Sequence, residues 1–299
     1  MRVSLEDIKV IAYVCEPRQE KVVPVGTTFL ALLQEKRPGF TSHNFYYWVT
    51  AEHIINNIQH KPILRINRKN GSPLEIETGK DNWRKHLKSD VAVFPFEVAN
   101  KVWAELDIKW VDTLIFATQD YKRPNPGDIP TTEHLPDIGI GDDVIFIGLF
   151  AQHGGTGKNL PIVRFGNVAR MPTEEEIEIE IDAAPTYRKI VAYLVEAKSW
   201  GGQSGSPAIW QQEFIFKPKK PDVKPEEKTK KRISCLMGVV SSHFDIPQKA
   251  RTENNVSTDI TTKLNTGIAI VVPAHVIMDL IMTDDVLVAA RNAKFAETK

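Results

Sequence analysis

The stretch WGGQSGSPAIW, Trp200 to Trp210, decides how the rest of the sequence is interpreted. Six of its first eight residues are Gly, Ser or Pro, although it lies between two stretches rich in strand-forming residues. Glycines ahead of a serine allow a sharp backbone turn, which can point several N–H groups into one small space. The pattern indicates either a flexible linker or a tight loop that holds one hydroxyl in a special place.

The tight-loop interpretation has a definite chemistry. A hydroxyl nucleophile needs a base beside it and hydrogen-bond donors for the oxyanion that it creates. In this loop the hydroxyl is that of Ser204, and the donors are the N–H groups of Gly202 and Ser204. Pro207 has no N–H to donate, so it lies just outside this group of oxyanion donors. Ser204 as an ordinary loop serine is the alternative.

The base and its carboxylate partner have one suggestive candidate each. Of eight histidines, His53 stands out because FYYWVTAEHII ends a strand in Thr-Ala and then begins a helical turn. Asp90 opens a strongly apolar strand in HLKSDVAVFPF, so its carboxylate is expected to be partly buried. A buried carboxylate without a partner is costly, and a partner is therefore expected. A core histidine and a turn or cap aspartate are the alternatives.

Size and composition are those of a globular protein of one large domain or two small ones. The chain has 299 residues, with 38 Lys+Arg balanced by 38 Asp+Glu, so nothing calls for a nucleic acid or an anionic membrane as partner. No signal peptide or apolar transmembrane stretch is evident. Cys15 and Cys235 are expected as two reduced, buried thiols, with a single disulfide as the alternative. We expect a soluble, cytoplasmic protein.

The apolar runs are short and rich in β-branched and aromatic residues. About a dozen candidate strands, separated by Gly, Pro, Asn and Asp, predict an all-β sandwich or barrel. HIINNI after His53 and VANKVWAEL from Val98 are short helix candidates, and PAHVIMDLIM from Pro273 is the best one. The four prolines of Gln119 to Gly139 predict a linker. Residues 217–232, with eight basic and three acidic side chains, indicate a solvated loop or a docking site for an acidic partner.

Three fragments in this order, VTAEHII, SDVAVF and GGQSGSP, resemble the motifs of the trypsin-like (chymotrypsin-fold) serine peptidases. That family has Thr-Ala-x-His, Asp-[Ile/Val]-Ala and Gly-x-Ser-Gly-[Gly/Ser]-Pro. The chain order His53, Asp90, Ser204 also differs from the Ser, Asp, His order of the α/β-hydrolases. The likeness extends over roughly Val22 to Ile281.

The resemblance implies two six-stranded antiparallel β-barrels and a short C-terminal helix. The N-terminal barrel, residues 1–120, would carry His53 and Asp90; residues 121–139 would be the linker; and residues 140–299 would form the barrel that carries Ser204, together with the helix. Ser204 would be the nucleophile, His53 the general base, and Asp90 the carboxylate that orients the imidazole. Gly202 and Ser204 would form the oxyanion hole. The resemblance assigns substrate binding to six residues: Lys198, Ser199, Ser241, Ser242, His243 and Gly267.

One departure from the digestive members concerns activation. They place an Asp before the nucleophile, where it pairs with a new N-terminus, whereas this chain has the neutral Gln203. We therefore expect no activation by N-terminal cleavage. The lack of a disulfide framework fits a bacterial-type, intracellular branch. An unregulated intracellular protease would be harmful, so we hypothesise narrow specificity or an activating partner protein.

The sequence thus predicts a serine endopeptidase that needs no cofactor and no metal and acts on a peptide or protein substrate. Two alternatives stay open. A catalytically silent relative would use the same cleft to bind a peptide or partner, and an esterase would use the same triad on another bond.

Overall fold

A computed structural model of the protein describes residues 3, 5–19, 21–112, 138–155, 157–173, 175–180, 187–197, 202–216, 229–251 and 257–297. In the strand segments 212–216, 229–234, 246–251 and 257–264 it describes the backbone alone. One of the candidate strands, TLIFAT from Thr113, and all of the predicted linker except residues 138 and 139 lie outside the described residues.

The first part of the chain forms one sheet. Its strands are β1 (Ile11–Arg18), β2 (Lys21–Glu35), β3 (His43–Thr50), β4 (Ile63–Asn67), β5 (Pro73–Glu77), β6 (Arg84–Lys85), β7 (Ala92–Pro95) and β8 (Val111–Asp112). The strand order is β5-β4-β1-β2-β3-β7-β6, and β8 pairs in parallel with β2. Two short helices accompany the sheet, α1 (Glu52–Asn57) and α2 (Asn100–Glu105).

This sheet is open in the described residues, so the predicted first barrel is not confirmed. The end strands β5 and β6 do not pair with each other. Strand β2 pairs with β1 over its first part and with β3 from Phe29 onward. Its pairing with β1 shifts register between Val14 and Cys15, where Pro24 lies opposite Cys15. The bare Cα of Gly26 makes room for Ile54, so α1 packs directly against β2.

The second part of the chain contains a closed six-stranded barrel, as predicted. Its strands are β9 (Asp143–Gly148), β10 (Ile162–Arg170), β13 (Tyr193–Glu196), β14 (Pro207–Phe216), β15 (Thr229–Arg251) and β16 (Ser257–Pro273). They close in the order β10-β13-β16-β15-β14-β9 around buried residues that include Phe146, Val195 and Trp210. Strands β11 (Ile177–Glu180) and β12 (Tyr187–Ile190) form a separate antiparallel ribbon.

The C-terminal segment forms two helices, where the sequence analysis expected one. Helix α3 (Ala274–Thr283) is the predicted one, with Pro273 at its N-cap rather than inside it. Helix α4 (Asp285–Glu297) was missed; it buries Leu287, Arg291 and Phe295. Arg291 donates to Glu35 Oε2 (3.1 Å) and to the Tyr47 hydroxyl (3.2 Å), so α4 covers the N-terminal sheet.

The predicted reduced, buried thiols are confirmed. Cys15 and Cys235 are free cysteines, and burial raises the pKa of each thiol to about 12. Among the described helices none is long and apolar enough to cross a membrane. The predicted division into domains stays a prediction, because one cluster of buried residues includes Phe29 of the open sheet and Ile147 of the barrel.

Candidate functional site

His53 is held at the start of α1. Strand β3 ends at Thr50, whose hydroxyl donates to the Thr27 carbonyl at 2.7 Å, and Ala51 then serves as the helix N-cap. Ile54 and Ile55 are buried in the core, which fixes the helix against the sheet. His53 itself keeps 19% of its side chain exposed, so its ring reaches the surface of the site.

Asp90 makes two contacts with His53. It precedes β7 and is completely buried. The His53 backbone N–H donates to Asp90 Oδ1 at 2.9 Å, and His53 Nδ1 lies 2.8 Å from Asp90 Oδ2. An ionised carboxylate only accepts, so Nδ1 carries the proton and donates it, which leaves Nε2 as the acceptor on the other side of the ring.

Ser241 supplies a third hydrogen bond to Asp90 from the barrel. Its fully buried hydroxyl donates to Asp90 Oδ2 at 2.5 Å. The sequence analysis assigned Ser241 to substrate binding and missed this contact. A serine inside the apolar run LMGVVSSHF carries no signal of its partner, because that partner lies 151 residues away in the chain.

The charges of this pair stabilise each other. Burial alone would raise the pKa of Asp90, but the His53 ring and the hydrogen bonds from His53 and Ser241 outweigh it and hold the pKa below its usual value. Burial likewise opposes protonation of His53, and the Asp90 carboxylate outweighs this, so the pKa of His53 lies above its usual value. Asp90 is therefore the anionic partner of the pair.

The Ser204 loop lies against Thr27 in the middle of β2 and against Thr50 at the end of β3. The Thr27 N–H donates to the Ser204 carbonyl at 3.0 Å, and the Gly205 N–H donates to the Val240 carbonyl at 2.7 Å. Gly205 has a φ of +80°, and a Cβ on it would lie 2.0 Å from the Thr27 oxygen. Only glycine permits so close an approach together with a left-handed backbone. The predicted tight loop is thus what the structure contains.

Thr27 connects the loop to both halves of the molecule, a role that the sequence analysis missed. Its buried hydroxyl donates to the Gly202 carbonyl at 2.8 Å and accepts the Leu149 N–H at 2.9 Å. Its own carbonyl accepts the Thr50 hydroxyl. One threonine therefore ties the Ser204 loop to the end of β9 and to the strand that leads into His53.

Both ends of the Gln203 side-chain amide have hydrogen-bond partners in or beside the Ser204 loop. Its Nε2 donates to the Leu149 carbonyl at 3.0 Å, and its Oε1 accepts the Ser206 hydroxyl at 3.2 Å. The neutral side chain thus has hydrogen-bond partners for both ends of its amide. The expected absence of activation by N-terminal cleavage stays a prediction.

Donors for an oxyanion are available at this loop. Within the part of the chain that the structure describes, the N–H groups of Gly202 and Ser204 donate to no other residue. Gly202 has a φ of +98°, which turns the backbone sharply before Ser204. Among the same residues no hydrogen bond joins the Ser204 hydroxyl to the His53 ring. The structure brings His53 and Asp90 together directly. Ser204 is bonded through its carbonyl to Thr27, which is bonded in turn to Thr50, three residues before His53.

The predicted substrate-binding residues fall into two groups. Lys198 and Ser199 lie outside the described residues. Ser242 and His243 belong to β15, where they pair with β16, and β14 ends its pairing before them, at Val239. One edge of residues 241–243 therefore has no strand beside it in the described chain.

Gly267 lies in β16, directly before the residues that pair with β13. It has a φ of +80°, and its carbonyl accepts the Ala197 N–H at 2.7 Å, directly before the segment that holds Lys198 and Ser199. Among the described residues no group of three His, Cys, Asp or Glu side chains could hold a metal ion.

Comparisons with known proteins give distant structural likenesses only. No protein-family model and no curated protein matches the chain. The MamO protease domain of Magnetospirillum magneticum is 13% identical over 92% of this chain and 97% of its own, with a TM-score of 0.45. The active form of the Rv3671c protease of M. tuberculosis is 13% identical over 93% and 81%, with a TM-score of 0.40. At such scores we base neither the fold nor the activity on these likenesses.

Proposed function

We propose that this protein is a serine endopeptidase of the trypsin-like, bacterial intracellular type, with Ser204, His53 and Asp90 as its catalytic triad. The observation that carries the proposal is the pairing of His53 with the completely buried Asp90 through both the ring and the backbone N–H. A buried carboxylate that orients a partly exposed histidine, beside a glycine-rich serine loop, is what nucleophilic catalysis requires.

The chemistry follows from the tautomer of His53. Ser204 Oγ attacks the scissile carbonyl carbon while His53 Nε2 takes the hydroxyl proton, and Asp90 stabilises the imidazolium. The imidazolium then gives that proton to the leaving amine as the C–N bond breaks, which leaves an acyl ester on Ser204. Water, deprotonated by His53, hydrolyses the ester and restores the serine.

Two further features support substrate binding at this loop. The N–H groups of Gly202 and Ser204 are available to hold the oxyanion. The edge of residues 241–243 that has no strand beside it would receive the substrate backbone as an added strand, with the neighbouring Ser241 already bonded to Asp90. Together they would bring a scissile bond to the Ser204 hydroxyl.

Fluorophosphonate labelling of the purified protein, with mass spectrometry to locate the adduct, tests the proposal. We expect a single adduct on Ser204, because only an activated hydroxyl reacts quickly. An unlabelled protein that still binds peptides would contradict the proposal and favour the silent relative. Faster turnover of simple esters, without cleavage of any member of a peptide-amide library, would favour the esterase.

The rate of cleavage is expected to rise with pH through a midpoint above 6.5. His53 accepts a proton from Ser204 only when its ring is neutral, and Asp90 holds the pKa of His53 above its usual value of 6.5. The acid limb of kcat/KM therefore lies on the alkaline side of an unperturbed histidine. A limb with its midpoint below 6.5 would contradict the pairing with Asp90.

The free thiols support a reducing compartment, the cytoplasm, as the site of action. Narrow specificity or, alternatively, partner-dependent activation belongs to the same proposal. Constitutive cleavage of many unrelated cytosolic proteins by the purified protein would contradict both.

A further inference from the structure

Arg188 of β12 extends from the separate ribbon to the segments that carry His53 and Asp90. Its Nη1 donates to the Ser89 carbonyl at 2.8 Å and lies 2.5 Å from Glu52 Oε2, with the His86 carbonyl at 3.3 Å. Ser89 directly precedes Asp90, and Glu52 directly precedes His53. One guanidinium therefore contacts the residue before each member of the pair.

Glu52 depends on this contact. Only 6% of the residue is exposed, and its other oxygen, Oε1, accepts the Asn56 amide at 3.3 Å. A carboxylate this deeply buried is costly without an ionic partner, because its charge is then left uncompensated away from water. Arg188 supplies the positive charge that permits a second carboxylate beside the His53–Asp90 pair.

We propose that Arg188 is a positioning residue for the candidate catalytic site, which fixes the Ser89–Asp90 segment and neutralises Glu52 beside His53. This role of Arg188 rests on the proposed function. It makes the position of the β11–β12 ribbon a determinant of activity at the candidate catalytic site. The ribbon anchors Arg188 through Ile177, Ile179 and Ile190, which are all buried in the shared core. Displacing the ribbon would remove the guanidinium from both segments at once.

The charges around His53 give the proposal a measurable consequence. Asp90 contacts the His53 ring from the turn before β7, Glu52 directly precedes His53 on α1, and Arg188 reaches Glu52 from the ribbon. Farther out, Lys85 of β6 donates to Asn56 Oδ1 at 2.6 Å. After burial, which lowers the pKa of His53, Asp90 and Glu52 both raise it. The positive charge of Arg188 offsets the negative charge of Glu52. Removing Arg188 should therefore raise the pKa of His53, and removing the charge of Glu52 should lower it.

The test measures the pKa of His53 by NMR on protein labelled with ¹³C-histidine, with His53→Gln to assign the resonance. Relative to the unmodified protein, we expect a rise of about half a unit or more in Arg188→Met and a comparable fall in Glu52→Gln, since nearby charges shift pKa values by this order. Arg188→Met/Glu52→Gln should return close to the unmodified value. Lys189→Met, an exposed neighbour on the same strand, should leave the pKa unchanged.

The second readout separates positioning from general loss of structure. Arg188→Met is expected to lower kcat about tenfold with little change in KM, because a small displacement of Asp90 misaligns the base. Arg188→Lys keeps the charge and should recover most of the loss. If Arg188→Met does not fold, the comparison uses Glu52→Gln and the double variant, in which no carboxylate is left buried without a partner.

Equal pKa values of His53 in all these variants, or shifts of one sign, would overturn the proposal. The pKa is measured without turnover, so this outcome is distinct from failure of the proposed function. If the two variants shift the pKa of His53 in opposite directions but fluorophosphonate does not label the protein, the role of Arg188 is supported and the proposed peptidase activity is contradicted. If fluorophosphonate labels Ser204 but the pKa of His53 does not shift in the variants, the proposed peptidase is supported and the proposed role of Arg188 is contradicted.

Discussion

Replacing Ser204 by Ala is expected to lower kcat for peptide cleavage about 10⁶-fold and to abolish the fluorophosphonate adduct. The hydroxyl would be the only group that forms the acyl-enzyme, and the remaining N–H donors cannot replace it. Peptide binding should persist, because the edge of residues 241–243 is unchanged. Steady-state kinetics and intact-mass spectrometry measure the two effects.

Ser206→Ala is the matched control, since it removes a hydroxyl two residues away in the same loop. That hydroxyl donates to Gln203 and lies against Gly148 of β9, so we expect less than about a tenfold change in kcat. Equal activity of Ser204→Ala and the unmodified protein would rule out the triad. An equal loss in both variants would indicate that the loop, rather than one hydroxyl, is what matters.

Asp90→Asn is expected to lower kcat about 10⁴-fold while the fold is preserved. Because the His53 backbone N–H donates to the position of Oδ1, the amide oxygen of the new side chain would stay there. Its NH₂ group would then face His53 Nδ1 and donate to it, which moves the ring proton to Nε2. In that tautomer His53 cannot accept the Ser204 proton.

Ser241→Ala provides the comparison for this variant. It removes one hydrogen bond to Asp90 Oδ2 and leaves the carboxylate and the tautomer of His53 intact, so a loss of about tenfold is expected. Circular dichroism and thermal unfolding establish that each variant is folded. An Asp90→Asn protein within tenfold of the unmodified rate would show that the tautomer is not controlled by Asp90.

The sequence predicted the parts of the site that short motifs carry. His53 and Asp90 were found because each stands at a strand end in a recognisable local pattern, and the tight Ser204 loop because glycines mark its turns. Thr27 and Ser241 were missed, since their hydrogen bonds join residues far apart in the chain. A short stretch of sequence does not show which distant residues its side chains will contact.

The same distinction explains the errors in the fold. The apolar runs gave most strands of the closed barrel, whereas β1 was missed because its apolar run, Ile11 to Cys15, is short and is followed directly by Glu16, Pro17 and Arg18. Helix α4 was missed because its mixed composition shows no strong apolar stripe, and what it buries includes the charged Arg291. Arg188 gave no local signal either, because its partners are about 100 residues or more away.

The contact of α4 with the first sheet has an evolutionary consequence. Arg291 reaches Glu35 and Tyr47 across almost the whole chain, and the Arg37 guanidinium stacks over the Phe295 ring at 4.1 Å from its centroid. Recombination at the predicted linker would bring in a new first half without the carboxylate and tyrosine that this helix needs. We therefore expect a recombined chain to keep this helix in place only where its first half also supplies a carboxylate and a tyrosine at these two positions.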